Sequence, residues 1–127
     1  MKFKKVKINA SSYLVNGNYN MELKYFKSGK ISVNYRPWLV GNSKKFKLSE
    51  EDSFILDRKL RNVDIEKIEN NKKTISVLDG EELKVSIFYD DASTKEFNIC
   101  MPYTKYCVKF LDAIKWVINK GEINSGV

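Results

Sequence analysis

The chain has 127 residues, of which 43% are hydrophobic and 31% are charged, and it contains no histidine. This size and composition predict one globular domain over residues 1–127, because domains commonly span about 100 to 200 residues. The absence of histidine excludes Ser-His-Asp and Cys-His triads, HExxH zinc sites and a histidine general base. No stretch reaches the roughly 18 consecutive apolar residues of a membrane helix, so we expect a soluble protein with no membrane partner.

Cysteine usage and the N-terminus predict a cytoplasmic location. Cys100 and Cys107 are too few for a disulfide framework, and too few for a zinc site without histidine partners. We therefore expect two free thiols, and a redox role for them stays open. The lysine-rich segment Met1–Ile8 is followed by polar residues where a signal peptide needs an apolar region. Reduced thiols and no signal peptide are typical of a cytoplasmic protein.

Alternating apolar and polar residues predict an antiparallel sheet in the first forty residues. The alternation runs from Tyr19 to Tyr25, and it resumes from Ile31 to Tyr35 after a turn over Lys27–Lys30. A period of two indicates strands with one apolar face, so these segments predict a β-hairpin. An earlier strand contains Val6 and Ile8.

Two further signals punctuate this sheet. Asn16-Gly17 is typical of a type I′ turn, because both central positions of that turn need positive φ. Pro37 and Trp38 are predicted to end the third strand, since proline has no amide to donate to a strand ladder.

A first helix is predicted from an N-cap at Ser49 to about Asn62. The Ser49 hydroxyl and the acids that follow it suit the positive end of a helix dipole. An apolar stripe supports the helix and comprises Leu56, Leu60 and Val63. After it we predict a short extended piece over Asp64–Ile68 and a turn over Asn70–Lys73.

A second set of strands is predicted in the second half of the chain. Its segments are a strand at Thr74–Leu78, a turn at Asp79–Glu82, a strand at Leu83–Tyr89, a turn at Asp90–Lys95, and a strand containing Phe97, Ile99 and Met101 that ends at Pro102.

The last segment predicts a helix with Thr104 as N-cap and Gly121 as the C′ residue. Its apolar face comprises Cys107, Phe110, Leu111, Ile114, Val117 and Ile118. A face of this width indicates packing on the sheet. The order of elements predicts an α+β fold: a single antiparallel sheet of about five to six strands with two helices packed on one face.

Basic residues are concentrated in the first part of the chain. Residues 1–49 contain ten lysines and Arg36 against one acid, Glu22, whereas residues 50–127 contain 12 basic and 15 acidic residues. This asymmetry predicts a basic surface and an acidic partner, either protein or nucleic acid. A bias toward Lys, Asn and Ile from an AT-rich genome is the alternative explanation.

Aromatic residues interleave with these lysines. Most of the tyrosines fall in the inward rows of predicted strands, whereas Phe26, Trp38 and Phe46 break the alternation. A flexible Gly41–Ser43 turn predicts that the stretch from Trp38 to Lys47 forms an exposed loop. The candidate partner-binding residues, in this loop and beside the uncovered face of the sheet, are Arg36, Trp38, Lys44, Lys45, Phe46 and Lys47.

Catalytic and metal chemistry are not predicted. The acids of Asp79–Glu82 and the pair Asp90 and Asp91 lie in predicted turns at opposite ends of one strand, roughly 20 Å apart. Such residues are ordinary in turns. We therefore predict no catalytic residue, no metal ligand and no cofactor.

The layout also resembles a known group of proteins. The turn glycines of Asn16-Gly17 and Ser28-Gly29, the capped helix at Leu48–Asp52, the strand pair from Val77 to Asp91 and the final Phe-Leu-x-x-Ile helix carry the resemblance. It is to small bacterial domains of unknown function, some of which are immunity proteins of polymorphic toxin systems. The resemblance implies a non-enzymatic inhibitor that neutralises a protein partner by direct binding. A nucleic-acid-binding module that uses the same basic surface is the alternative.

Overall fold

A computed structural model of the chain describes residues 2–11, 19–37, 43–70, 82–100 and 105–125. These residues form one six-stranded antiparallel sheet and three helices, which confirms the predicted α+β fold. The elements in chain order are β1 (Phe3–Ser11), β2 (Tyr19–Tyr25), β3 (Ile31–Pro37), β4 (Lys44–Lys47), α1 (Glu50–Arg61), α2 (Ile65–Asn70), β5 (Glu82–Tyr89), β6 (Thr94–Cys100) and α3 (Lys105–Ser125).

The strand order in the sheet is β4-β3-β2-β1-β5-β6. Strand β1 lies between β2 and β5, and it pairs with both in antiparallel register, with Val6 opposite Leu23 on one side and Ile87 on the other. The predicted β2–β3 hairpin is confirmed, and its turn places Gly29 at φ +89°, a conformation that glycine adopts without strain. The two halves of the chain therefore meet along β1.

One face of the sheet carries the core. The inward rows of five strands are apolar and buried, as the alternation predicts, and they pack against the buried stripes of the helices. Phe97 of β6 contacts Phe110 of α3 edge to face, with ring centroids 5.7 Å apart. Leu56, Ile114 and Val117 contribute to the same cluster from the helices.

Helix α1 begins and ends where the sequence predicts. The Ser49 hydroxyl accepts a hydrogen bond from the Asp52 amide at 3.1 Å, and Asn62 is the C-cap. Ser53 is buried, and its hydroxyl accepts a hydrogen bond from the Ile31 amide at 2.9 Å. This bond ties the first turn of α1 to the start of β3.

The predicted extended piece at Asp64–Ile68 is wrong, because a short helix, α2, forms there. The Asp64 carboxylate accepts a hydrogen bond from the Lys67 amide at 3.2 Å, as an N-cap does. Ile68 is buried against the core, and Ile65 is half-buried one turn earlier. Tertiary burial at a spacing of three thus selects helix over strand. Asn70, predicted to begin a turn, is the last residue of α2.

The predicted C′ role of Gly121 is also wrong, because α3 continues to Ser125. Gly121 is buried inside the helix, beneath the ring of Phe46. A Cβ atom at this position would lie 2.6 Å from Cε1 of Phe46. The glycine therefore permits close approach of helix and strand rather than ending the helix.

The predicted exposed loop is wrong over 44–47, where strand β4 pairs with β3. The turn before β6 is shorter than predicted, since Thr94 and Lys95 already belong to the strand, and Glu82 belongs to β5 rather than to a turn. Several predicted features lie outside the described residues: the Asn16-Gly17 turn, Trp38, the Asn71–Lys73 turn, the Thr74–Leu78 strand, residues 79–81, Met101, Pro102 and Thr104. None of the three helices described is long and apolar enough to cross a membrane.

Candidate partner-binding surface

The sheet face opposite the helices, here called the open face, carries a strong excess of positive charge. Its side chains are those that alternate with the buried rows, and the strand register brings them side by side. Its basic members are Lys5, Lys7, Lys24, Arg36, Lys45, Lys47 and Lys84, and its acidic members are Glu22, Glu82 and Glu96.

Most basic residues of the open face come from the N-terminal part of the chain, where the sequence has its excess of positive charge. All of its basic residues except Lys84 come from the first 49 residues of the chain. Among the described residues, the ion pair on this face joins Lys5 Nζ to Glu22 Oε1 at 3.7 Å, and no carboxylate lies within 4.0 Å of Lys45 or Lys47. Most of the positive charge is thus not neutralised within the described part of the chain.

One pair of like charges lies directly across two central strands. Lys5 of β1 is the register partner of Lys24 of β2, and both side chains project onto the open face. Like charges opposite each other destabilise a sheet. The two ammonium groups lie over different rings, Lys5 over Phe88 and Lys24 over Phe26, each 5.8 Å from the ring centroid.

A central depression of about 530 Å³ lies in the open face. Its lining combines basic side chains with amide groups, which can donate and accept hydrogen bonds. The basic side chains are Lys7, Arg36 and Lys84, and the amides are Asn9, Asn20 and Asn98.

An edge depression of about 490 Å³ lies beside it, across β2, β3 and β4. Glu22 and Asn34 line both depressions, so the two form one continuous hollow. The edge depression is further lined by Lys24, Phe26, Ser32, Lys45, Phe46 and Lys47.

Two phenylalanines lie on the open face, and one of them, Phe26, lines the edge depression. The Phe26 side chain is 38% exposed, and its ring lies 5.8 Å from Lys24 Nζ and 5.1 Å from Lys47 Nζ. Phe88 is half-buried, with Lys5 Nζ and Lys7 Nζ at 5.8 and 5.7 Å from its ring centroid. The broken alternation indicates Phe26 as a candidate in the sequence, but Phe88 is not among the predicted candidates. The available signal is that Phe88 interrupts the polar row that Lys84 and Ser86 begin in β5.

The structure separates the six candidate partner-binding residues. Arg36, Lys45 and Lys47 lie on the open face, as expected of a binding surface. Lys44 and Phe46 point to the helix side, because they fall on the other phase of the β4 alternation. Phe46 packs half-buried against the core, so its assignment as an exposed aromatic is wrong. Trp38 lies outside the described residues.

Tyr25 is a partly buried titratable residue whose pKa is strongly shifted. Burial and the neighbouring Asp57 carboxylate raise the pKa of Tyr25 well above its ordinary value, so this phenol stays neutral. Its hydroxyl donates a hydrogen bond to Asp57 at 3.1 Å. Cys107 is buried in the core, and no three acidic or cysteine side chains of the described segments lie together as metal ligands do.

Comparison with protein-family models found no family that matches the chain, and comparison with curated proteins found no match. The ligand class must therefore be inferred from the geometry and charge of the open face.

Proposed function

We propose that the chain is a non-catalytic binding protein that docks an acidic protein partner on the open face. One observation carries the proposal: seven basic and three acidic side chains share a hollow sheet face that no described element covers. The core needs none of these charges, because the buried rows lie on the other face.

The arrangement of lysines favours a binding role for the open face over a face that only contacts solvent. Lys5 already pairs with Glu22 at 3.7 Å, whereas no carboxylate of the described residues lies within 4.0 Å of Lys24, Lys45 or Lys47. An acidic partner would supply the negative charge that these three lysines lack. A basic hollow also attracts an acidic surface over several ångströms and speeds its association. The resemblance to immunity proteins is consistent with a partner of this kind, a toxin that the chain would block.

Several features favour protein over nucleic acid. Glu22 and Glu96 line the central depression, where they can accept hydrogen bonds from the donors of a protein surface, whereas a phosphate backbone offers them no donor. Sequence-tolerant binding of single strands uses several aromatic rings on which successive bases stack, whereas of the two phenylalanines on the open face Phe26 is exposed and Phe88 is half-buried beneath two lysines. The amides of the central depression suit the mixed donors and acceptors of a protein surface.

A nucleic-acid-binding module is the second candidate. It is favoured by the two phenylalanines of the open face, each of which has two lysine ammonium groups near its ring. Salt separates the two candidates, because binding to phosphates releases counterions and its affinity falls steeply as the salt concentration rises.

The proposal is tested with two triple variants, which reverse three positive charges on the open face or three on the helices. Lys7→Glu, Lys24→Glu and Lys45→Glu together alter the open face, and Lys59→Glu, Lys109→Glu and Lys115→Glu together alter exposed positions on α1 and α3. The two triple variants have the same net charge, so a difference in their binding affinity shows which surface binds the partner.

The probes are a fluorescent glutamate-rich peptide and an oligothymidylate of equal charge, each titrated at low and at physiological salt. We expect the wild type to bind the peptide, the open-face variant to lose that binding and the helix variant to retain it. Equal losses in the two variants would show that only net charge matters and would contradict the proposal. Tighter binding of the oligothymidylate, with a steep salt dependence, would favour the second candidate.

A further inference from the structure

We infer that the edge depression is the anchoring subsite of the open face, and that it receives a short acidic segment of the protein partner in which carboxylates flank an aromatic side chain. The inference rests on the proposed function and adds to it the location of the anchor and the chemistry of the segment.

The charge of the two depressions differs although each contains three exposed basic side chains. In the edge depression, Lys24, Lys45 and Lys47 face a single acid, Glu22, at the border with the central depression. In the central depression, the basic side chains share the space with two acids, Glu22 and Glu96. A carboxylate of the partner therefore meets fewer repelling negative side chains in the edge depression than in the central depression.

The edge depression also contains the exposed ring of the open face. Phe26 is 38% exposed, and two ammonium groups lie within 6 Å of its ring centroid. Anchors of protein interfaces are commonly aromatic groups surrounded by residues that exclude water. A ring of the partner that packs on Phe26 would bring its flanking carboxylates to Lys24 and Lys47.

Polar groups at the floor complete the subsite. Ser32 and Asn34 lie on the open face of β3 between these lysines, opposite Lys24 and Glu22 of β2, and opposite Lys47 and Lys45 of β4. A hydroxyl and an amide can donate to carboxylates or to the main chain of a bound segment. Positive charge, an apolar ring and neutral donors thus occur together in one hollow of about 490 Å³.

The test compares the two depressions in the full chain. One triple variant combines Lys24→Glu, Lys45→Glu and Lys47→Glu, and the matched variant combines Lys7→Glu, Arg36→Glu and Lys84→Glu. All six residues are exposed on the same face, and the two variants have equal net charge. Thermal melting monitored by circular dichroism checks that both variants fold.

The probe is a synthetic peptide of glutamates around one phenylalanine, compared with the same peptide in which alanine replaces the phenylalanine. We expect the edge-depression variant to weaken binding about ten-fold or more, and the central-depression variant to weaken it less than about three-fold. We also expect Phe26→Ala to abolish the preference for the phenylalanine peptide, whereas Tyr106→Ala, at a ring of α3 that two lysine ammonium groups also approach within 6 Å, leaves the preference intact.

The possible failures are distinguishable. Equal weakening by both triple variants would overturn the anchor while leaving the open face as the binding surface. Unchanged binding in both, or no binding of either peptide by the wild type at low salt, would overturn the anchor and the proposed function together. A preference for phenylalanine that survives Phe26→Ala would overturn the assignment of the ring. Tighter binding of an oligothymidylate to the edge depression would overturn the choice of a protein segment.

Discussion

Gly121 is buried within α3 against the ring of Phe46, and this contact determines its role. From the sequence it is a helix-ending glycine, because glycine is common at the C′ position. In the structure it lies within α3, where glycine is less favourable than alanine by about 1 kcal/mol. The Phe46 ring occupies the space that a Cβ atom would need, so the contact between α3 and β4 accounts for the glycine.

We expect Gly121→Ala to lower the free energy of unfolding in the wild-type background, because the new methyl group meets the Phe46 ring. In a Phe46→Ala background the same change should raise it by about 0.5 to 1 kcal/mol, since the propensity gain is then unopposed. Urea unfolding of the four proteins in this cycle measures both effects. An effect of the same sign in both backgrounds would show that the ring contact does not require the glycine.

Among the described residues, Ser53 is the buried polar side chain of the core. Its hydroxyl accepts the Ile31 amide, so Ser53→Ala would leave a buried donor without its partner. We expect a loss of about 1 to 3 kcal/mol in the free energy of unfolding. The control is Ser28→Ala, which removes an exposed hydrogen bond to Lys30 and should change stability by less than about 0.5 kcal/mol. Similar losses in the two variants would refute the role of burial.

Among the elements, long periodic segments were predictable and short ones were not. The alternation of β2 and β3 and the stripes of α1 and α3 report directly which face is buried. Strand β4 is not predictable from its pattern, because Lys44–Lys47 contains a single apolar residue and its strand conformation depends on pairing with β3. Helix α2 was missed because six residues show too little of a helical period.

The buried face of α3 gives a graded prediction. Ile114 is 2% exposed within the core, whereas Leu111 is half-buried at its margin. We expect Ile114→Ala to lower the free energy of unfolding by about 2 to 5 kcal/mol, and Leu111→Ala to lower it by less, about 1 to 2 kcal/mol. Chemical denaturation checks both values. The reverse ranking would show that α3 presents a different face to the sheet.

For the whole molecule, the presence of a basic surface was predictable and its composition was not. The charge asymmetry of the sequence predicts that lysines gather, but the strand order decides which of them are neighbours. Because β5 pairs with β1, Lys84 joins lysines that lie more than 70 positions earlier in the chain. The phase of β4 then places Lys45 and Lys47 on the open face and removes Lys44 and Phe46 from it.

The most direct test of the open face as the binding surface is a titration of isotope-labelled protein with the glutamate-phenylalanine peptide at low salt, followed through amide chemical shifts. We expect shifts concentrated in the strands and largest in β2, β3 and β4 around the edge depression, with α1 and α3 little affected. Shifts confined to the helices, or a spectrum unchanged at saturating peptide, would contradict the assignment of the open face.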